Sequence, residues 1–367
     1  MAEPGTMAER WREVARVVAD GVAVTEGEIV GIFLTDHESF AAVEAFAAEV
    51  YRRGAHPHVI LTDERLDRVA LELSDAASLA RVPVIEAESM RLSDVHVSFR
   101  GMVPPDRLDE SDAFPAKLAA QRKAKGVISG LRWQETRWAI VRVPTLAWAR
   151  YRGIDPDVLF DEFFAGCTLD WQHEREAWKE LADRLNRTEV VRIVAPDTDL
   201  SLRVGGRTAV VFAGEANWPD GEVATAPLDH GVDGYITFAD AFTFASATFS
   251  GLRLEFRDGA VVSVSAAEGE EVARALLDTD DGSRRVGELG IGLNPSMSRW
   301  TGDLLLDEKI LGTVHIALGR AYPECGGTNR SSLHWDIVKD LRPGSAGGAG
   351  SIYFDGEPVI LDGSPVW

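Results

Sequence analysis

The sequence predicts an α/β protein: an N-terminal half in which helices alternate with strands of a mainly parallel sheet, then a β-rich mixed half. Three observations carry this. Through the first half, apolar residues recur alternately at helical spacing and in short β-rich runs. Near residue 188 the pattern changes to short apolar runs divided by turn residues. A chain of 367 residues, 45% hydrophobic and 26% charged, is also long enough to bury two cores of ordinary size. The predicted domains are residues 1–188, α/β, and 189–367, mixed and β-rich.

Taken in order, residues 8–20 read as a helix and 28–35 (EIVGIFLT) as a strand. Residues 39–54 (SFAAVEAFAAEVYRRG) read as a helix with a serine near its start and Gly54 as its stop, and 57–62 (PHVILT) as a buried strand. Further strands are predicted at 82–87 (VPVIEA) and 95–99 (VHVSF), then a helix at 117–126 followed by VISG at 127–130, and a strand at 138–144. A long amphipathic helix follows, with Trp171, Trp178, Leu181 and Leu185 on one face. Beyond residue 190 come hairpins, among them 252–266 with its turn at Arg257-Asp258-Gly259, and one helix at 270–278. The stretch PGSAGGAG (343–350) reads as a flexible loop tip.

Composition excludes several function classes. A formal charge of −21 repels polyanions, so nucleic acid is not an expected partner. The strongest basic cluster, Arg122-Lys123-Ala124-Lys125, lies in a helical pattern and reads as a solvated face. Cys167 and Cys325 have no CxxC spacing and read as structural thiols of a reduced protein. Glu and Arg interrupt the N-terminal apolar residues, so neither a signal peptide nor a membrane span is expected, and the predicted location is cytoplasmic. No GxGxxG, GxxxxGK[ST] or GxSxG is present, which turns attention from nucleotide and acyl-transfer chemistry to metal ligands.

If residues 333–338 (LHWDIV) form a strand, His334 and Asp336 share a face while Trp335 points away. An imidazole and a carboxylate so placed suit Zn, Mn, Co or Fe(II). His315, in the strand-like TVHIALG, offers a second imidazole. Glu288 is planted in the Gly-interrupted apolar run VGELGIG, where burial without a partner is costly. Glu222 follows Pro219 and Gly221 and leads into a strand. Asp307-Glu308-Lys309 reads equally well as a plain solvated turn.

Four ordered blocks, NWPDGEVATAP, VGELGIGLNPSMS, LLDEKILGTVHIALGRAYP and NRSSLHWDIV, resemble the M29 metallo-aminopeptidases. That resemblance implies that Glu222, Glu288, His315, His334 and Asp336 ligate a pair of divalent metals (Zn, Co, Mn or Mg), with Glu308 a further ligand and Tyr322 lining the site. It implies hydrolysis of a peptide or small amide at the N-terminal residue by metal-activated water, with Glu222 or Glu288 shuttling the proton and Tyr322 hydrogen-bonding the oxyanion. It further implies a homodimer. The alternative is a mononuclear Fe(II) ring-cleaving dioxygenase of the 2,5-dihydroxypyridine type, a group that looks like M29 proteins and uses two histidines and one carboxylate.

Overall fold

The structure, a computed structural model, describes residues 5–105, 114–245 and 247–367. The chain packs into two compact units. The first is built from residues up to Pro104, from Phe114 to Trp171 and from the returning segment Gly214–Asp220; the second is built from Gln172–Ala213 and Gly221–Trp367. The single cut drawn from the sequence at 188 has as its counterpart a division at 171, with 214–220 sent back to the first unit.

The first unit is a five-stranded parallel sheet in the order His56–Leu61, Ile29–Leu34, Val95–Gly101, Arg137–Val143 and Asn217–Trp218. Its central strands Ile29–Leu34 and Val95–Gly101 are buried along almost their whole length, as expected where both faces are covered. Helix Met7–Gly21 starts at Thr6, whose side chain closes a capping box with Glu9, and buries Trp11, Val14 and Val18 against Val30, Val97 and Val141. Helix Phe40–Arg52 brings Val43, Phe46 and Val50 to the same core.

Four local expectations are corrected. Residues 82–87 are not a strand: Pro83 caps helix Val84–Leu92, whose Ala87 and Met90 are buried three residues apart while Val84 and Ile85 face solvent. The helix predicted at 117–126 does not stop before VISG but runs on through it as part of Phe114–Glu135, where Ile128 packs with Phe33, Ala87 and Met90. Strand His56–Leu61 is not buried, because it is the sheet edge and its residues are mostly exposed or half-buried. The basic cluster is only partly solvated, since Arg122 is half-buried and Lys125 pairs with Asp67.

In the second unit, helix Trp171–Leu185 buries Trp178, Leu181 and Leu185. An eight-stranded antiparallel sheet runs from Ala260–Ser265 at one edge through Leu252–Arg257, Val232–Phe238, Thr198–Arg203, Val190–Ala195, Ser351–Phe354 and Glu357–Leu361 to Ser364–Pro365. The predicted hairpin turn is present, with Asp258 and Gly259 both at positive φ, 50° and 78°. A separate five-stranded antiparallel sheet has the order His334–Asp340, Thr313–Gly319, Val286–Gly292, Glu222–Thr225 and Val210–Phe212. One face of this sheet carries the polar residues.

Candidate metal centre

Alternation along the strand His334–Asp340 sends His334 and Asp336 to one face and Trp335 to the other. There the indole packs against Phe244 and Phe249, with ring centroids 5.5 and 5.3 Å away. Residues directly opposed across an antiparallel ladder share a face. The pairs Ala317 with Asp336, Glu288 with Ala317, Gly290 with His315 and Gly292 with Glu222 therefore collect Glu222, Glu288, His315, His334 and Asp336 on one surface. A bulge at Gly287, where the ladder shifts between Val286 and Glu288, sets the aim of the Glu288 side chain. A short helix, Leu304–Asp307, delivers Glu308 to the same cluster.

Room for these groups comes from absent atoms. A Cβ on Gly290 would lie 2.1 Å from His315 Cε1, so the imidazole occupies the space that any other residue would fill. Behind it, a Cβ on Gly292 would lie 2.4 Å from both the Ile310 carbonyl oxygen and Thr313 Oγ1. Gly290 is thus the complement of the His315 ring on the next strand, while Gly292 makes way for backbone and Thr313.

The distances are those of a donor set. His315 Nε2 is 3.5 Å from Glu222 Oε2 and 3.6 Å from Glu288 Oε1, and His334 Nε2 is 3.4 Å from Glu288 Oε2 and 3.3 Å from Asp336 Oδ1. Three triads, Glu222-Glu288-His315, Glu288-His334-Asp336 and Glu308-His315-Asp336, each bring one ligand atom per residue within 4.8 Å of one another. All six residues predicted as ligands therefore converge, and Glu288, His315 and Asp336 each belong to two triads. The expectation of a solvated turn at Glu308 is corrected, because Glu308 is 3% exposed.

The electrostatics match the geometry. Burial alone would lower the pKa of His315, but Glu288, Glu222 and Glu308 push it up to about 10. His334 is likewise pushed up to about 9 against burial, by Asp336 and Glu288. Burial raises Glu288, and it pushes Glu308 up to about 8 despite Lys309. Burial also acts to raise Asp336, yet His334, His315 and Lys309 hold it below the usual carboxylate range. Glu222 Oε2, Glu288 Oε2 and Glu308 Oε2 are buried without a hydrogen-bond partner among the described residues. Buried carboxylate oxygens and imidazole nitrogens converging at these distances fit divalent cations.

Supporting contacts fix the ring of His334. Its Nδ1 lies 2.9 Å from the Arg320 carbonyl oxygen, which only accepts, so Nδ1–H donates and Nε2 is the nitrogen that faces Glu288 and Asp336. Just ahead of it, Asp280 accepts from Ser331 Oγ at 2.6 Å and from Ser332 N and Oγ, both at 2.8 Å. Burial would raise Asp280, but these bonds and that of Ser283 bring it to about 2. The Tyr322 ring lies tilted against those of His334 and Phe212, with centroids 5.5 and 5.7 Å away.

Sequence reasoning missed Lys309. It is wholly buried, with Nζ 2.7 Å from Glu222 Oε1 and 2.9 Å from Glu308 Oε1. The available signal was its place beside Glu308 in the block that ends at His315.

The sequence signature of the family described as thermophilic metalloprotease (M29) matches residues 7–356. Among individual relatives, aminopeptidase T of Thermus thermophilus is 29% identical over 322 residues, covering 78% of each chain. Aminopeptidase 2 of Geobacillus stearothermophilus is 27% identical over 321 residues, 78% of this chain and 77% of the relative. The solved structure of wild-type AmpT from Thermus thermophilus superposes with a TM-score of 0.76 at 25% identity, covering 98% of this chain and 99% of that one. The 2,5-dihydroxypyridine dioxygenase of Pseudomonas putida KT2440 superposes with a TM-score of 0.58 at 16% identity, covering 99% and 98%, a likeness of fold alone.

Proposed function

The chain belongs to the M29 metalloprotease family and is a hydrolytic peptidase, and from that premise we propose that it is an aminopeptidase working with two divalent metal ions. The observation that carries this reading is the convergence of four carboxylates and two imidazoles on one sheet face. Glu222, Glu288 and His315 would hold one ion and Glu288, His334 and Asp336 the other, with Glu308 supplementing the first through His315. Zn, Co, Mn and Mg are the candidates. Such ions supply a Lewis acid for the scissile carbonyl and make water a nucleophile near neutral pH.

The protein's own groups do the rest. Glu222 or Glu288, each with one unpartnered oxygen, takes the proton released on attack and passes it to the leaving amine. The Tyr322 hydroxyl donates a hydrogen bond to the carbonyl oxygen as it gains charge. Burial and the nearby carboxylates hold the pKa of Tyr322 well above its ordinary value, so the donor stays protonated at working pH. The substrate is the N-terminal residue of a peptide or a small amide. A cytoplasmic homodimer completes the proposal, supported by the family resemblance; among the described residues no helix is long and apolar enough to cross a membrane.

The test is release of the N-terminal residue from a short peptide, with its N-acetylated form as control, alongside a count of ions per chain. Two ions per chain and cleavage of the free-amine peptide alone are expected. One essential iron per chain with cleavage of a dihydroxypyridine ring would overturn the reading in favour of the dioxygenase. That alternative is weaker, because its three-ligand site would leave three of the clustered carboxylates without a role.

A further inference from the structure

The buried cluster contains one group that no metal-ligand pattern calls for. Lys309 places its ammonium 2.7 Å from Glu222 Oε1 and 2.9 Å from Glu308 Oε1, and its side chain is 0% exposed. The other oxygen of each carboxylate, Oε2, is buried and has no hydrogen-bond partner among the described residues. Glu222 Oε2 is also the atom 3.5 Å from His315 Nε2.

A buried ammonium is costly unless charged partners and hydrogen bonds offset its desolvation, and a long lysine side chain gives up rotamer freedom when it is fixed. The backbone fixes it here. The Lys309 N–H donates to the Leu306 carbonyl, and the Lys309 carbonyl accepts from Asn294 N at 2.8 Å, tying the residue to the loop that follows the Glu288 strand. The base of the side chain is therefore anchored independently of the two carboxylates that the ammonium touches.

Resting on the metal-centre reading above, we infer that Lys309 is a positioning residue: it holds one oxygen of Glu222 and one of Glu308, leaving each a single oxygen to offer the ions. A glutamate free of such a partner swings between one-oxygen and two-oxygen coordination. With Lys309 in place, Glu222 is held to one arrangement before any ion arrives, and Glu308 is held beside it. The ammonium also offsets one of the four carboxylate charges of the cluster.

The experiment is calorimetric titration of metal-free protein with Mn2+, with visible absorption spectra of the Co2+-loaded form, for wild type and Lys309→Met. Weaker Mn2+ binding by about 10- to 100-fold in Lys309→Met is expected, as for loss of other groups that orient ligands. A changed Co2+ spectrum should accompany it, a readout that a merely structural role would leave alone. Binding as tight as wild type or tighter, with the spectrum unchanged, would overturn the inference, because the ammonium would then only repel the ions. If Lys309→Met fails to fold, Lys309→Met/Glu308→Gln keeps the buried charge of wild type and is compared with Glu308→Gln to isolate the hold on Glu222. The ion count of the wild type reports on the two-metal reading separately, since affinity and spectrum compare the variants whether one ion binds or two.

Discussion

Two equally buried histidines, one in each unit, meet opposite surroundings. His96, on a parallel strand of the first unit, is 2% exposed, and burial with Arg132 and Arg100 holds its pKa well below the usual histidine value. His315, on an antiparallel strand of the second, is also 2% exposed, yet the carboxylates of Glu288, Glu222 and Glu308 overrule burial. His96 stands edge-on to Phe33, 4.6 Å between ring centroids, as a neutral member of an apolar layer. Depth does not distinguish a ligand from a core residue. The charge that converges on it does, and that charge comes from strands distant in sequence.

The sharpest way to break the contrast is Glu288→Gln, which removes the carboxylate shared by two ligand triads. Peptide hydrolysis should fall by about 10^3-fold and bound metal should be lost, measured by assay and elemental analysis. His96→Leu should leave ion content unchanged. Full activity with two ions in Glu288→Gln would remove the shared-ligand role. Next in size is Gly290→Ala, whose Cβ would meet the His315 ring. It should weaken metal binding by about 10- to 100-fold and lower stability by about 1–3 kcal/mol. Both are read from calorimetric and denaturant titrations, and an unperturbed variant would show that the ring has room to move.

Chelation sharpens the contrast from the ligand side. Stripping ions should lower the melting temperature of the second unit, and adding Mn2+ at a hundred times its Kd should restore about 2.7 kcal/mol. An unchanged melting curve would mean that ions do not bind the folded state preferentially. The smallest effect is expected at Asp280. Its folded pKa of about 2 lies below the ordinary 3.8, so its contribution to stability is present above pH 3.8 and is lost as pH falls through about 2. Asp280→Asn should therefore be less stable than wild type at neutral pH, with the gap closing between pH 4 and 2 in acid-unfolding curves.

Much of this was legible in the sequence, and the failures have identifiable causes. Period-two alternation was enough to put His334 and Asp336 on one face, and Glu288 stood out as an acid planted among glycines, but the full candidate set came from the family resemblance. Residues 82–87 read as a strand because short β-branched runs look alike in strand and helix, whereas Val84 and Ile85 face solvent on a helix. The edge position of His56–Leu61 could not be seen, since strand order is a property of the whole sheet. Lys309 resembled a solvated turn residue because what buries it, Glu222 above all, lies far away in the chain.

The ladder that joins the strands bearing Glu222, Glu288, His315 and Asp336 also has a kinetic meaning. The donors run from residue 222 to residue 336, so no local hairpin assembles a full triad around Glu222 and His315 until the central strand between them is in place. Contacts of such long sequence separation form slowly. Capture of an ion by the Glu222-Glu288-His315 triad is thus a clock for the closing event of refolding, while the Glu308-His315-Asp336 triad, gathered within residues 308–336, can form earlier: a metal-sensitive signal in a refolding mixture should show a late rise with the slowest phase of the second unit.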